Sequence, residues 1–279
     1  MRTLEDRLPI DAFAGLVQDY FLTADARPWN RFTSIDWARI EPERLSADHR
    51  AALAFVTIIE DHIPGYFADY YRQFPLDETV PVDLYAWNRE MYHFSTRWAQ
   101  EEDAHAQVLF TYQVRAGLAD PETLRRELAV EGQKLWTQPH PHPVQIFTYN
   151  LIQEKATQLY YQQLSQVIEE PVLKSILTHM AHDEARHFSF FANVLEATIR
   201  HLGEYVFPLI KTSLTTFKMP LARTVKNYWR LALRVADAAG GYDHTVAYGD
   251  LLRIINRAVD EPTLQTREIE EYVRNVRAV

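Results

Sequence analysis

RWAQEEDAHAQVLF (Arg97–Phe110) and HMAHDEARHFSFF (His179–Phe191) are the stretches on which the reading of this chain turns. In the first, Glu102 and His105 stand three residues apart; in the second, Glu184 and His187 repeat the interval. On a helix that interval places both side chains on one face, where a carboxylate oxygen and an imidazole nitrogen can meet one metal ion. A third match, Glu90 with His93, lies twelve residues before the first. At 100° per residue it falls about 120° away around the helix and is expected to face elsewhere. Two further glutamates complete the pattern: Glu60 in AFVTIIEDHIPGYF (Ala54–Phe67) and Glu154 in FTYNLIQEKATQLYY (Phe147–Tyr161). A glutamate in such apolar company is seldom buried unless it is paired or binds a metal. The order is therefore Glu, Glu-x-x-His, Glu, Glu-x-x-His, one element per helix. Two carboxylates can bridge two divalent ions while each ion takes one imidazole.

Working outward, prolines set the boundaries, because the residue before a proline avoids the helical region. Pro75 and Pro81 bracket one turn, Pro139, Pro141 and Pro143 a second, Pro171 a third, and Pro220 opens the last part of the chain. Long helices are predicted over about Ser46–Phe74 (with Ser46 as N-cap), Val82–Leu118, Val144–Glu169 and Val172–His201. Smaller ones are predicted over Glu5–Phe21, Pro121–Lys134, Leu221–Ala239, Thr245–Val259 and Leu264–Arg277. The stretch from Lys134 to Val144 serves as the crossover between hairpins. The fold class is all-α: a ferritin-like, up-and-down four-helix bundle with additional helices at both ends, in a single domain over residues 1–279. Glu154 and Glu184 lie at similar distances on either side of Pro171, so the second hairpin brings them to one depth. The first hairpin has unequal arms around Pro75–Pro81. Pro64 has no N–H to reach the carbonyl of Glu60, so a kink or bulge is expected beside that glutamate.

Composition agrees and excludes much. Hydrophobic residues make up 47% of the 279 and charged residues 24%, the balance of a folded globular chain. Glycine is scarce, at 8, and neither glycine-rich phosphate-binding pattern occurs. With no cysteine there is no disulfide, thiol nucleophile or thiolate-held metal, so any metal must sit on Glu, Asp and His. The net charge of −9 argues against a nucleic-acid partner. No apolar run is long enough to span a membrane, and MRTLEDRLPIDAF does not read as a secretory signal. A cytoplasmic location is expected.

At the ligand positions the chain resembles the soluble acyl–acyl-carrier-protein desaturases, over about Trp29–Leu195. That family's I-T-E-E-A-L-P-T-Y is similar to Ile58-Ile59-Glu60-Asp61-His62-Ile63-Pro64-Gly65-Tyr66, and its W-T-A-E-E-N-R-H to Trp98-Ala99-Gln100-Glu101-Glu102-Asp103-Ala104-His105. Its F-Q-E-R-A-T resembles Ile152-Gln153-Glu154-Lys155-Ala156-Thr157, and its D-E-K-R-H resembles Asp183-Glu184-Ala185-Arg186-His187. The resemblance implies two iron ions per chain, cycling between ferrous and ferric, bridged by Glu102 and Glu184. Glu60 with His105 would complete one and Glu154 with His187 the other. It also implies a threonine near the dioxygen site at Thr157, a carboxylate hydrogen-bonded to His105 at Asp183, and an electron-transfer tryptophan, here Trp29 rather than Trp37. It implies a homodimer, a ferredoxin-type electron donor and an acyl substrate on acyl carrier protein, from which two hydrogens are removed. Manganese suits the same ligands as iron. The chain is shorter than the plant enzymes and matches no family motif beyond Leu202.

Between Tyr205 and Ala236 there is no acidic residue, and Arg223, Lys226, Arg230 and Arg234 are spaced three, four and four. On a helix they form one basic stripe, a candidate docking face for an acidic carrier protein. Other readings keep the site and change the reaction, to a di-iron hydroxylase or oxidase of another metabolite. Still others drop the reaction: a metal-storage protein, or a metal-free helical scaffold.

Overall fold

The structure, a computed structural model, describes residues 4–243 and 245–276. Among these are eleven α-helices, short 3-10 turns and no strand. The bundle is built from α2 (Ala47–Glu60) and α3 (Ile63–Gln73), α4 (Val82–Arg115), α6 (Pro143–Val167) and α7 (Pro171–Leu202). Around it lie α1 (Ile10–Ala26), α5 (Pro121–Gly132), α8 (Phe207–Thr215), α9 (Tyr228–Ala238), α10 (Val246–Ala258) and α11 (Leu264–Asn275). The all-α, ferritin-like bundle expected from the sequence is the observed architecture. No described helix is long and apolar enough to cross a membrane.

Local chemistry sets the helix ends. The Ser46 hydroxyl accepts from His49 N at 3.0 Å, and α5 and α7 start the same way, on the carboxylates of Asp120 and Glu170. Proline occupies the first turn of α5, α6 and α7, where a missing N–H costs nothing. Helix α6 packs along α7, and α4 packs against α7, α3, α2 and α1. Phe94 of α4 stacks on Phe190 of α7 with ring centres 3.7 Å apart, and α1 closes this part of the core with Phe13 and Tyr20.

The structure corrects several expectations. The single helix over Ser46–Phe74 is two: α2 stops at Glu60 and α3 restarts at Ile63, with Pro64 in its first turn. The expected kink is thus a full break at Asp61–His62. The N-terminal helix is α1, Ile10–Ala26, because Pro9 bars continuation from the 3-10 turn at Leu4–Asp6. Helix α8 was not anticipated; Gly203, at φ 62°, ends α7 and frees the chain to turn into it. The helix over Leu221–Ala239 begins only at Tyr228, since Leu221 and Asn227 both adopt left-handed φ of 60°. Arg223 and Lys226 therefore lie in turns, and only Arg230 and Arg234 share a helix. The basic residues do not form one stripe, and Arg234 donates to Asp48 Oδ1 at 2.7 Å. The last helix ends at Asn275, and its expected end, Arg277, lies outside the described residues.

Candidate metal centre

Each long helix of the bundle delivers its acid to one point between them. Glu60 is the last residue of α2, Glu102 and His105 occupy one face of α4, Glu154 lies mid-way along α6, and Glu184 and His187 share a face of α7. All six are buried. Their ligand atoms form two interlocking groups, Glu60–Glu102–His105–Glu184 and Glu102–Glu154–Glu184–His187, each within 4.8 Å. Glu102 and Glu184 belong to both groups. Glu90 and His93 stand outside them.

The fit of this cluster to a metal pair rests on what its atoms lack. His105 Nδ1, His187 Nδ1, Glu102 Oε1, Glu154 Oε2 and Glu184 Oε2 are buried with no hydrogen bond among the described residues. His187 Nδ1 lies 3.0 Å from Glu102 Oε1, 3.4 Å from Glu154 Oε2 and 3.5 Å from Glu184 Oε2. Buried polar groups are seldom left in this way, and a divalent ion in each group would satisfy all five.

Charge balance points the same way. Burial raises the Glu184 carboxyl well above its usual range, with the charges of Glu102 and Glu154 adding to the effect. Burial also raises Glu60. Burial works against the Glu102 carboxylate too, but the adjacent His105 and His187 imidazoles hold it at about 2. For His105 burial opposes the proton, yet Asp183, Glu102 and Glu60 raise it well above the ordinary imidazole value. His187 is raised likewise, by Tyr20, Glu101, Glu102 and Glu154. The raised imidazole values favour protons on both histidines in the metal-free cluster, and metal binding competes with those protons.

Behind each histidine stands the acid that precedes the other motif's glutamate. His105 Nε2 lies 3.1 Å from Asp183 Oδ2, which also accepts from Trp29 Nε1 at 2.6 Å. His187 Nε2 lies 2.9 Å from Glu101 Oε2. The structure thus brings Trp29 and Asp183 to His105, whereas Trp37 Nε1 donates to the Phe32 carbonyl. Arg186 ties the two supporting acids together, at 2.6 Å from Asp183 Oδ1 and 3.0 Å from Glu101 Oε1. Sequence reasoning missed Glu101, although the doublets Glu101-Glu102 and Asp183-Glu184 repeat one pattern. It also missed Trp98, whose Nε1 donates to Glu154 Oε1 at 3.2 Å, and Tyr161, whose hydroxyl donates to Glu60 Oε1. These two contacts join different helices, and no spacing within one helix announces them.

Residues 14–275 match the family model described as fatty acid desaturase. The chain belongs to that family. A fatty acid desaturase relative, DesA2 of Mycobacterium tuberculosis, is named as an acyl-ACP desaturase and is 28% identical over 149 residues, 52% of this chain and 48% of the relative. The matched stretch therefore spans about half the length of that curated relative. The X-ray structure of DesA2 from strain H37Rv superposes with a TM-score of 0.64 at 18% identity, covering 93% of this chain and 98% of that one. The likeness is one of fold. An R2-like ligand-binding oxidase aligns less well, with a TM-score of 0.49 at 15% identity, covering 94% of this chain and 89% of that one.

In this desaturase-family chain the centre opens on an apolar cavity of about 190 Å3 between α2, α6 and α9. Glu60, Thr157 and Tyr161 line its inner part, and Phe55 and Ile59 its wall. Trp229 and Leu233 of α9 line it while being 59% and 58% exposed, so α9 is its outer wall. Thr157 is half-buried, and its hydroxyl donates to the Gln153 carbonyl at 3.0 Å. On the far side of residues 218–219 runs an open, more polar groove of about 380 Å3, lined among others by Lys218 and Arg223.

Proposed function

We propose that this chain is a dioxygen-dependent di-iron desaturase that introduces a double bond into an acyl chain held on an acyl carrier protein. The observation that carries this reading is the pair of interlocking ligand groups, with their unsatisfied buried atoms, beside an apolar cavity. Glu60 and His105 would hold one ion, Glu154 and His187 the other, and Glu102 and Glu184 both; manganese would suit the same donors. What a bound iron pair adds is the oxidising power to break an unactivated C–H bond with dioxygen. The overall change converts –CH2–CH2– with dioxygen, two electrons and two protons into –CH=CH– and two waters.

The chain's own residues do the rest. Asp183 and Glu101 orient the histidines by taking their outer N–H. The hydrogen-bonded path Trp29–Asp183–His105 leads electrons inward from a ferredoxin-type donor. The apolar cavity holds the acyl chain against Glu60 and keeps water away from it, and Thr157 presents a hydroxyl there. Arg223, Lys226 and Arg230 are exposed at the start of α9 and in the turns before it, the helix that walls the cavity, and attract an acidic carrier. The reading includes one functional domain and a cytoplasmic location, and a homodimer, which follows from the family resemblance.

The test is iron content and product mass. Protein loaded with iron is expected to hold close to two irons per chain, and Glu102→Ala and Glu184→Ala, which each remove a ligand from both groups, to hold almost none. Incubation with reduced ferredoxin, dioxygen and acyl carrier substrates should give a product lighter by two hydrogens. A product heavier by one oxygen would replace the desaturase with a hydroxylase. Loaded protein without iron would end the oxidoreductase reading.

A further inference from the structure

The acid behind His187 is itself held from a helix that contributes no ligand. Tyr20, on α1, donates its hydroxyl to Glu101 Oε2 at 2.7 Å, the same oxygen that lies 2.9 Å from His187 Nε2. The tyrosine is 3% exposed, and its ring is fixed edge-on against Phe94 and Phe190, with centres 4.9 and 5.5 Å away. The other oxygen of Glu101 is drawn elsewhere, to Arg97 Nε at 3.2 Å and Arg186 Nη2 at 3.0 Å. Two guanidinium groups thus pull on Oε1, and the Tyr20 hydroxyl fixes where Oε2 sits.

We propose that Tyr20 is a positioning residue of the metal centre: through Glu101 it fixes the orientation of His187, and so sets the metal affinity of the Glu102–Glu154–Glu184–His187 group alone. This rests on the reading of the cluster as a metal pair. The arrangement mirrors Trp29–Asp183–His105 on the other side, with one difference. Trp29 is half-buried, whereas Tyr20 ends in the aromatic core, so its relay supports the histidine without leading to the surface. Helix α1 thereby becomes part of the centre although it lies outside the four ligand helices.

The probe is cobalt(II), titrated into metal-free protein and followed by its visible absorption. Tyr20→Phe keeps the ring between Phe94 and Phe190 and removes only the hydroxyl. In a His105→Ala background, where the His187 group remains complete, Tyr20→Phe is expected to weaken cobalt binding about 10–100-fold, the usual effect of losing such a support. In a His187→Ala background the same change should alter binding less than about twofold, because the imidazole through which Tyr20 and Glu101 act on the metal is gone. A spectroscopic signature accompanies this. Cobalt-loaded wild type should show two solvent-exchangeable, strongly shifted imidazole N–H resonances, and Tyr20→Phe should move or broaden one and leave the other.

Equal weakening in both backgrounds would reduce Tyr20 to a packing residue and overturn the proposal. Unchanged affinity with both resonances in place would also overturn it. Should Tyr20→Phe not fold, Glu101→Gln tests the same link and should give the same one-sided loss. Wild-type protein that binds no cobalt would overturn the metal centre itself, and this proposal with it.

Discussion

Protonation of the ligands is where single residues leave a measurable trace. Glu60, Glu184, His105 and His187 all have pKa values raised in the folded, metal-free chain, so that chain keeps protons which the unfolded chain releases. A raised folded pKa gives stability that is complete below the unfolded value and is lost as pH climbs through the folded one. The opposite holds for Glu101 and Glu102, both held at about 2, whose contribution is lost as pH falls towards that value. Metal-free protein should therefore be most stable between about pH 4.5 and 6.5, the unfolded values of the groups concerned, and lose melting temperature above that. Metal-loaded protein should gain stability over the same alkaline interval, as protons stop competing for the ligands. A metal-free melting temperature that stays level from about pH 6 to 9 would contradict the proton inventory of the cluster. The six clustered residues were legible in the sequence because each histidine sits one helical turn from its glutamate and the two lone glutamates have apolar neighbours. Tyr20 and Tyr161 were not legible. They reach the centre from 81 and 101 residues away in sequence, and only tertiary packing brings them there.

Among elements, the break between α2 and α3 is the one on which the centre depends most. Glu60 closes α2, and two residues later the His62 ring is buried beneath α3. Gly65 makes room for it: a Cβ at that position would stand 2.7 Å from His62 Nε2. The ring cannot simply swing aside, because it is 1% exposed and stands beside Tyr66, ring centres 5.2 Å apart. Gly65→Ala is expected to destabilise the protein by about 1–3 kcal/mol, the usual cost of overpacking, and to lower iron content by disturbing Glu60. Adding His62→Ala should restore both, as read by melting temperature and iron analysis. If Gly65→Ala alone leaves both unchanged, the break is more compliant than its packing implies. The sequence marked this place through Pro64 but suggested a kink, because a proline in the first turn of a new helix leaves the same signature as one inside a bent helix. Helix α9 misled for a related reason. Residues 221–239 keep helical spacing, and nothing in that spacing foretells left-handed backbone at Leu221 and Asn227.

For the whole molecule, the two approaches to the centre use different walls. The path from Trp29 runs to His105 and Asp183 on α4 and α7, whereas the cavity opens between α2, α6 and α9. On the proposed function, an electron donor at the first wall and an acyl carrier at the second would engage without displacing one another. Reversing charge at Arg223, Lys226 and Arg230 should raise KM for the acyl carrier substrate about tenfold or more and reduce its salt dependence, with iron content unchanged. An unchanged KM would place the carrier elsewhere. The bundle itself was legible from four long periodic segments and the proline turns. The cavity was not, since it depends on where α9 lies against α2. The sharing of Glu102 and Glu184 has a mechanical consequence as well. The first metal group takes three ligands from the chain before residue 133 and one from the chain after 142, and the second takes one and three. Each bound ion would thus act as a rivet through both halves of the polypeptide. A protease site inserted beside Leu135, which is 75% exposed, would allow the backbone to be cut there. The severed halves should stay together to a higher urea concentration when metal is bound than after chelation, and equal midpoints would show that the rivets carry no load.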